Sequence, residues 1–371
     1  MKKDSSVELL RVIGCFIVIG VHIPFSPIID NTYDFSRTFI QCVLGDGVAI
    51  FWAITGCFLF KSLYGKVLKR TFKSIVVPIV LFNVFFFFLG DFLYNDFSLL
   101  QSIQRPLEAY SYLAKSFLSW SNSTEFVHLW YMYVYAFLML LYPCIKAFVS
   151  YLDESNKRIK TYMAISFLLL VLNDVTQNQL FNFSHSLIGA FFPAANLFVF
   201  GHILYEHRAI FCSKKWMFIG LTTFGVVNIV RAILQYRLYL QGDQMCHMLL
   251  WYTSFGLVCA VALFVFATSF MTLVNHERFS KFVNFFASYT FSVYIVHLPV
   301  VKLLVNYQVV SLITDKVYSL GSNYAVDFLY LIIVITVVFV LSLIISVTSR
   351  YTIRAGKKVV SKLKNIKVLK A

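Results

Sequence analysis

The first apolar segment of the chain carries two residues able to do chemistry inside a membrane, Arg11 and His22. They are eleven positions apart, which brings both side chains to one face of a helix, roughly 16 Å apart along its axis. Arginine is a fixed cation with a fork of donors, and histidine titrates near neutral pH. Such groups are costly at membrane depth and often functional. The alternative is structural: Arg11 reaches one interface, and His22 packs or bonds at the other.

The rest of the composition is that of a membrane protein. Hydrophobic residues make up 59% of the 371 residues and charged residues 13%, with 40 Phe and 22 Tyr. Long apolar runs recur, so we predict an all-α, polytopic bundle of about ten transmembrane helices with both termini in the cytoplasm. The predicted spans are 8–29, 40–60, 74–94, 128–148, 161–179, 187–205, 215–235, 249–274, 286–309 and 325–348.

The positions of the basic residues support this topology. Of the 32 Lys and Arg residues, 24 fall in predicted inner segments, five in outer segments and three within spans, as the positive-inside rule expects. The net charge of +15 therefore reflects topology, and no nucleic-acid partner is expected. Residues 1–349 are predicted to form one transmembrane domain. The basic tail, 350–371, is predicted to lie against anionic lipid of the inner leaflet.

Three further sets of polar side chains lie at membrane depth: His128, Trp130 and Tyr131; His297; and Asn228, Arg231 and Gln235. His297 is about a dozen residues into a span that starts inside, so it should end near the depth of His22. We therefore expect a buried polar chamber in the outer half of the bundle. The histidines show no H-x3-H pair and no adjacent carboxylate, and the seven cysteines form no CxxC motif. These spacings favour neither a metal site nor a permanently bound cofactor.

Four stretches together resemble the acyltransferase-3 family of integral membrane acyltransferases. Arg11 and His22 match its R-x10-H signature in the first span. The segment Phe51–Leu59, FWAITGCFL, looks like the family's FFxxSGxxL segment, with Thr55 in place of the usual serine. The HLWY segment that begins at residue 128 looks like the histidine-tryptophan motif of stand-alone, sugar-modifying members. Ser288–Pro299 is similar to the late SYxxYLxHxP segment.

This resemblance implies the transfer of an acyl group from cytoplasmic acyl-CoA to a sugar hydroxyl. In the stand-alone branch the acceptor is a cell-surface polysaccharide or its lipid-linked precursor, and acetyl is the common acyl group. Acetyl-CoA or another acyl-CoA is then a co-substrate. The resemblance also implies a bacterial plasma membrane, contact with its lipids, and proteins of polysaccharide synthesis as further partners.

The resemblance also suggests roles for the candidate residues. Arg11 suits the phosphates of CoA or the thioester oxygen. His22 suits a general base on the acceptor hydroxyl, or a nucleophile that carries the acyl group, and the sequence does not choose between them. His297 and His128 can orient the acceptor or stabilise the oxyanion. The remaining candidates for substrate binding are Trp130, Tyr131 and Arg231.

Two other classes of function remain open on the sequence. A transporter or flippase for a glycan or lipid-linked sugar would use the internal histidines and the polar face around Arg231 as a substrate path. A structural partner in a polysaccharide-synthesis complex would leave the intramembrane Arg11 and His22 without a purpose. Dependence on acyl-CoA separates the acyltransferase from both alternatives.

Overall fold

The computed structural model describes residues 4–23, 35–82, 129–176, 191–241, 254–274, 276–321 and 323–368, and these ranges contain no β-strand. The helices are α1 (Ser5–Val21), α2 (Phe35–Leu44), α3 (Gly47–Leu59), α4 (Tyr64–Thr71), α5 (Trp130–Leu140), α6 (Tyr142–Asp153), α7 (Asn156–Val175), α8 (Phe191–Glu206), α9 (Lys214–Leu240), α10 (Ser254–Val274), α11 (Glu277–Ala287), α12 (Thr290–Asn306), α13 (Val309–Tyr318) and α14 (Tyr324–Val368). The predicted all-α membrane architecture is confirmed at this level.

Several of these helices are long and apolar enough to cross a membrane. In the described ranges four stretches qualify, and six do if each of two bent helix pairs is a single span. The four stretches are Phe35–Leu59, Lys214–Leu240, Ser254–Val274 and Tyr324–Thr352. The helices α1 and α8 match predicted spans but are 17 and 16 residues long here. Most of predicted span 74–94 lies outside the described residues. Ten spans with cytoplasmic termini therefore remain a prediction.

The bent pairs show where continuous predicted spans are interrupted. The fourth predicted span is two helices, α5 and α6, that meet at 71°. Pro143 is the second residue of α6, and proline cannot continue the hydrogen bonding of a preceding helix. The ninth predicted span is joined at 53° to an additional helix, α11. The stretch before residue 286, which lies between two predicted spans, is thus helical from Glu277.

The helix that carries Arg11 and His22 lies at the centre of the bundle. It packs against α2, α3, α10, α11, α12 and α14. Leu10, Cys15 and Ile19 are almost completely buried along it. Between membrane helices such packing is driven by van der Waals contact and interhelical bonds. The central position of α1 fixes the placement of its two functional candidates.

A close helix crossing brings α3 against α8 through two glycines. A Cβ atom built at Gly56 would lie 1.9 Å from the carbonyl oxygen of Phe198, and one built at Gly201 would lie 1.9 Å from that of Ala53. Neither position has space for a side chain, because the obstacle on each side is backbone. Small residues at helix crossings allow this approach. The crossing holds the FWAITGCFL segment in place.

Replacement of Gly201 by alanine is expected to destabilise the protein by about 1–3 kcal/mol, since the two backbones must separate. The melting temperature of the purified protein in detergent measures this effect. Gly225→Ala is the matched control, because Gly225 lies within α9 and an added Cβ meets nothing within 4 Å. There alanine should be neutral or slightly stabilising. Equal melting temperatures for the two variants would contradict the tight crossing.

Candidate active site

His22 and His297 meet where two parallel helices lie side by side. The Cys15 thiol at the middle of α1 lies 4.0 Å from the carbonyl oxygen of Thr290, the first residue of α12. Seven residues further along each helix, the rings of His22 and His297 are 5.2 Å apart between centroids and tilted by 43°. The helices therefore run in the same direction and in register. The two histidines that the sequence places at a similar depth are in contact.

His297 is held in a defined orientation. Its side chain is fully buried, and Nδ1 lies 2.6 Å from the carbonyl oxygen of Tyr294 one turn earlier. A carbonyl only accepts, so Nδ1 carries a proton and donates it. His22 caps the C-terminal end of α1 and is partly exposed. Of the two rings, His22 is thus the more accessible and His297 the more constrained.

A row of aromatic rings extends from His297 to the start of α5. Centroid distances are 5.8 Å from His297 to Tyr294, 6.0 Å from Tyr294 to Tyr131, and 5.8 Å from Tyr131 to Trp52. Trp130 meets Trp52 edge-on at 5.6 Å. Trp130 and Tyr131, both predicted as site residues, therefore share one cluster with the histidine pair. Trp52 joins them and was not singled out from the sequence, although it lies within the FWAITGCFL stretch.

Thr55 follows Trp52 by three residues on α3 and adds a hydroxyl group to this part of the helix. The hydroxyl donates to the carbonyl oxygen of Phe51 at 2.9 Å. Threonine thus supplies the hydroxyl that the resembling segment supplies with serine. The extra methyl group is accommodated at a partly exposed position.

Arg11 lies three turns before His22 and has a carboxylate partner on its own helix. Its Nη1 atom is 3.3 Å from both carboxylate oxygens of Glu8. The Glu8 side chain is almost buried, whereas 32% of the Arg11 side chain is exposed. The contact is long and uses one nitrogen of the guanidinium, so an anion can compete for the remaining donors. Sequence reasoning missed Glu8, although a spacing of three on a helix is a recognisable pairing signal.

Arg231 belongs to a separate buried cluster between α2, α9 and α10. It is fully buried, and Nη1 donates to Asp46 Oδ2 at 2.7 Å and to the carbonyl oxygen of Cys42 at 3.1 Å. One turn away, Asn228 donates to the Cys259 sulfur at 3.4 Å. The predicted polar face thus packs against protein. Asp46 was not predicted, although an acid between two glycines in a predicted span signals a buried partner.

The remaining candidate, His128, lies outside the described residues. Across the ranges that the structure describes, no group of three or more His, Cys, Asp or Glu side chains is arranged to hold a metal ion.

The arrangement is compatible with acyl transfer across the helix bundle. A cation on α1 lies roughly 16 Å from a histidine pair that faces an aromatic cluster. The chain matches the family model Acyl_transf_3, described as an acyltransferase domain, over residues 4–347. No curated protein and no solved structure matches it.

Proposed function

We propose, from the premise that the chain belongs to the acyltransferase-3 family, a specific reaction for this membrane acyltransferase. It transfers an acetyl group from acetyl-CoA to a hydroxyl of a cell-surface polysaccharide or of its lipid-linked precursor. The observation that carries the proposal is the contact between His22 and His297 at 5.2 Å. It joins two segments 275 residues apart in sequence, both of which resemble family motifs, on the central helix of the bundle.

His22 is the proposed reacting group, by one of two routes. As a general base it takes the proton of the acceptor hydroxyl while that oxygen attacks the thioester carbonyl, and the C–S bond breaks to release CoA. As a nucleophile it attacks the thioester itself, releases CoA, and then gives the acyl group to the hydroxyl. His297, fixed by its bond to Tyr294, holds the His22 ring from one side in either route.

The acceptor is proposed to bind on the aromatic side of the histidine pair. Trp130 and Tyr131 offer ring faces and a hydroxyl beside the cluster, which suits the apolar face and polar rim of a sugar ring. His128 precedes them in the same HLWY segment and is the proposed further contact to the acceptor.

Arg11 is the proposed contact to the acyl-CoA donor. Arg11→Gln should raise the KM for acetyl-CoA by about tenfold to a hundredfold, as expected for loss of a charged hydrogen bond of about 1.5–3 kcal/mol. Arg11→Lys should recover only part of this, because lysine keeps the charge but loses the planar fork. The KM is obtained from the rate of CoA release at different acetyl-CoA concentrations. The free thiol of CoA is detected with a thiol reagent. Arg158→Gln, which breaks an exposed pair with Glu154, is the control, and an unchanged KM in Arg11→Gln would contradict this role.

The reaction itself is tested with labelled acetyl-CoA in sealed membrane vesicles from cells that make the protein. We expect label to enter a glycan or glycolipid only when acetyl-CoA is supplied on the Arg11 side, predicted to be cytoplasmic. Vesicles without the protein are the control. Movement of an intact glycan across the membrane that does not depend on acetyl-CoA would instead support a transporter or flippase. Against that alternative, Arg231 is paired with Asp46 and its helix face is buried.

The proposed location is the plasma membrane of a bacterium, where a surface polymer and cytoplasmic acyl-CoA lie on opposite sides. Proteins of polysaccharide synthesis are then proposed as neighbours that supply the acceptor.

A further inference from the structure

The short helix α11 (Glu277–Ala287) is a feature that the acyltransferase reaction does not use. It follows the apolar helix α10 and meets α12, the helix of His297, at an angle of 53°. The joint at Ser288 and Tyr289 directly precedes Thr290, the residue that contacts Cys15 of α1. Because α12 runs from Thr290 toward the His22 end of α1, α11 lies at the opposite end, on the Arg11 side of the bundle.

One face of α11 is packed against the protein core. Val283 and Ala287 are almost completely buried, and the helix packs against α1. Phe286 reaches α14, where its ring lies 5.8 Å from that of Phe339. This face fixes the helix rigidly beside the segment that carries Arg11.

The other face combines exposed aromatic and basic side chains. Phe282 is 59% exposed and Phe285 is 50% exposed. On a helical wheel of about 100° per residue they lie about 60° apart, and Arg278 falls between them. Lys281 extends the same face and pairs with Glu277 at 2.7 Å, both side chains being mostly exposed. Two half-exposed phenylalanines beside cations form a pattern typical of a helix at a lipid interface.

A further cation lies beside the joint that follows α11. The Arg350 guanidinium lies 5.1 Å from the ring of Tyr289, the residue between α11 and α12. Arg350 comes near the end of the long apolar stretch Tyr324–Thr352 in α14. The Arg350 side chain, near the end of the apolar part of α14, therefore reaches the joint after α11, as expected where hydrocarbon gives way to headgroups.

We propose that α11 lies in the lipid interface on the Arg11 side, with Phe282 and Phe285 inserted among acyl chains and Arg278 bound to anionic headgroups. The helix is then an anchor at the membrane surface rather than the first part of a bent span. It ties the Arg11 end of α1 to the interface.

The depth of α11 in the membrane can be measured with spin labels, and this measurement does not require the substrate to be known. Single cysteines are placed at 282 or 285 in a background in which Cys144, Cys212 and Cys246 are serine; the other four native cysteines are buried. The protein is put into phosphatidylcholine vesicles with and without about one-third phosphatidylglycerol. Accessibility to oxygen and to a water-soluble nickel complex gives the depth of each label. We expect both labels about 5–10 Å below the phosphates.

Two further positions calibrate the measurement. A label at Ile229, 45% exposed within α9, should report hydrocarbon, and one at Glu154, exposed in the turn between α6 and α7, should report water. Labels at 282 and 285 as deep as that at 229 would overturn the proposal in favour of a bent span. Labels at 282 and 285 that are as accessible to the nickel complex as the label at 154 would also overturn the proposal. They would indicate a water-exposed face that is free for a protein partner.

The anionic headgroup is tested separately. Phosphatidylglycerol should reduce the mobility of the label at 285, and Arg278→Gln should abolish this reduction. Lys157→Gln, on the exposed start of α7, should leave it unchanged. A reduction that survives Arg278→Gln would overturn the headgroup contact.

Discussion

His22→Ala should lower the rate of acyl transfer by roughly 10²- to 10⁴-fold, the usual contribution of a positioned general base or acid. The loss is expected in the rate constant rather than in the KM for acetyl-CoA, because the proposed donor contact, Arg11, is three turns away and unchanged. The fold should survive, since His22 caps α1 through its backbone N–H, which alanine also provides. Release of CoA from acetyl-CoA and the melting temperature in detergent measure the two properties.

The control for this variant is His276→Ala, because His276 is exposed at the start of α11. It should retain full activity. The activity of His297→Ala should lie between those of His22→Ala and His276→Ala, because this variant removes the ring that holds His22 but keeps the reacting group. Activity of His22→Ala above about a tenth of wild type would exclude His22 from the chemistry.

The same variant can separate the two chemical routes. If His22 carries the acyl group, rapid denaturation at neutral pH during turnover should leave label on the wild-type protein and none on His22→Ala. If His22 acts as a base, neither protein retains label. The route with an acyl intermediate is thus open to direct observation.

The helical, membrane-embedded character of the chain could be predicted from its apolar runs, but the interruptions could not. Hydropathy is averaged over windows, so the change from α2 to α3 at Gly45 and Asp46 disappears within a continuous apolar segment. Pro143 was a visible signal for the bend between α5 and α6. The helix α11 was not predicted because it is amphipathic and lies outside any long apolar run.

The candidate site could be predicted where it depends on position along a helix. Counting residues placed His297 near the depth of His22, and the rings are in contact. The partners of charged groups could not be found in this way, because a partner across helices is set by packing. Asp46 and Arg231 are 185 residues apart in sequence, and no spacing rule connects them. The neighbouring Glu8 shares a helix with Arg11 and could have been identified.

The pair formed by Asp46 and Arg231 leads to the largest expected effect on stability. Both side chains are buried, at 2% and 0% exposure, and 2.7 Å apart. Arg231→Ala should destabilise the protein by about 3–5 kcal/mol, because it leaves an unpaired carboxylate away from water. It also removes the shorter of two hydrogen bonds to the carbonyl oxygen of Cys42, near the end of α2, and leaves the bond from the Gly45 N–H. The melting temperature of the purified protein should fall sharply in Arg231→Ala and in Asp46→Ala.

Two comparisons separate this effect from a loss of packing. Lys61→Ala breaks an ion pair with Glu206 that is largely exposed, and it should cost no more than about 1 kcal/mol. The double variant Asp46→Leu/Arg231→Met removes both charges and fills similar volume, so it should regain much of the stability lost in either single variant. A double variant as unstable as the sum of the single ones would show that the two charges do not act as a pair. Recovery would show that the single variants are unstable because each leaves one buried charge without its partner.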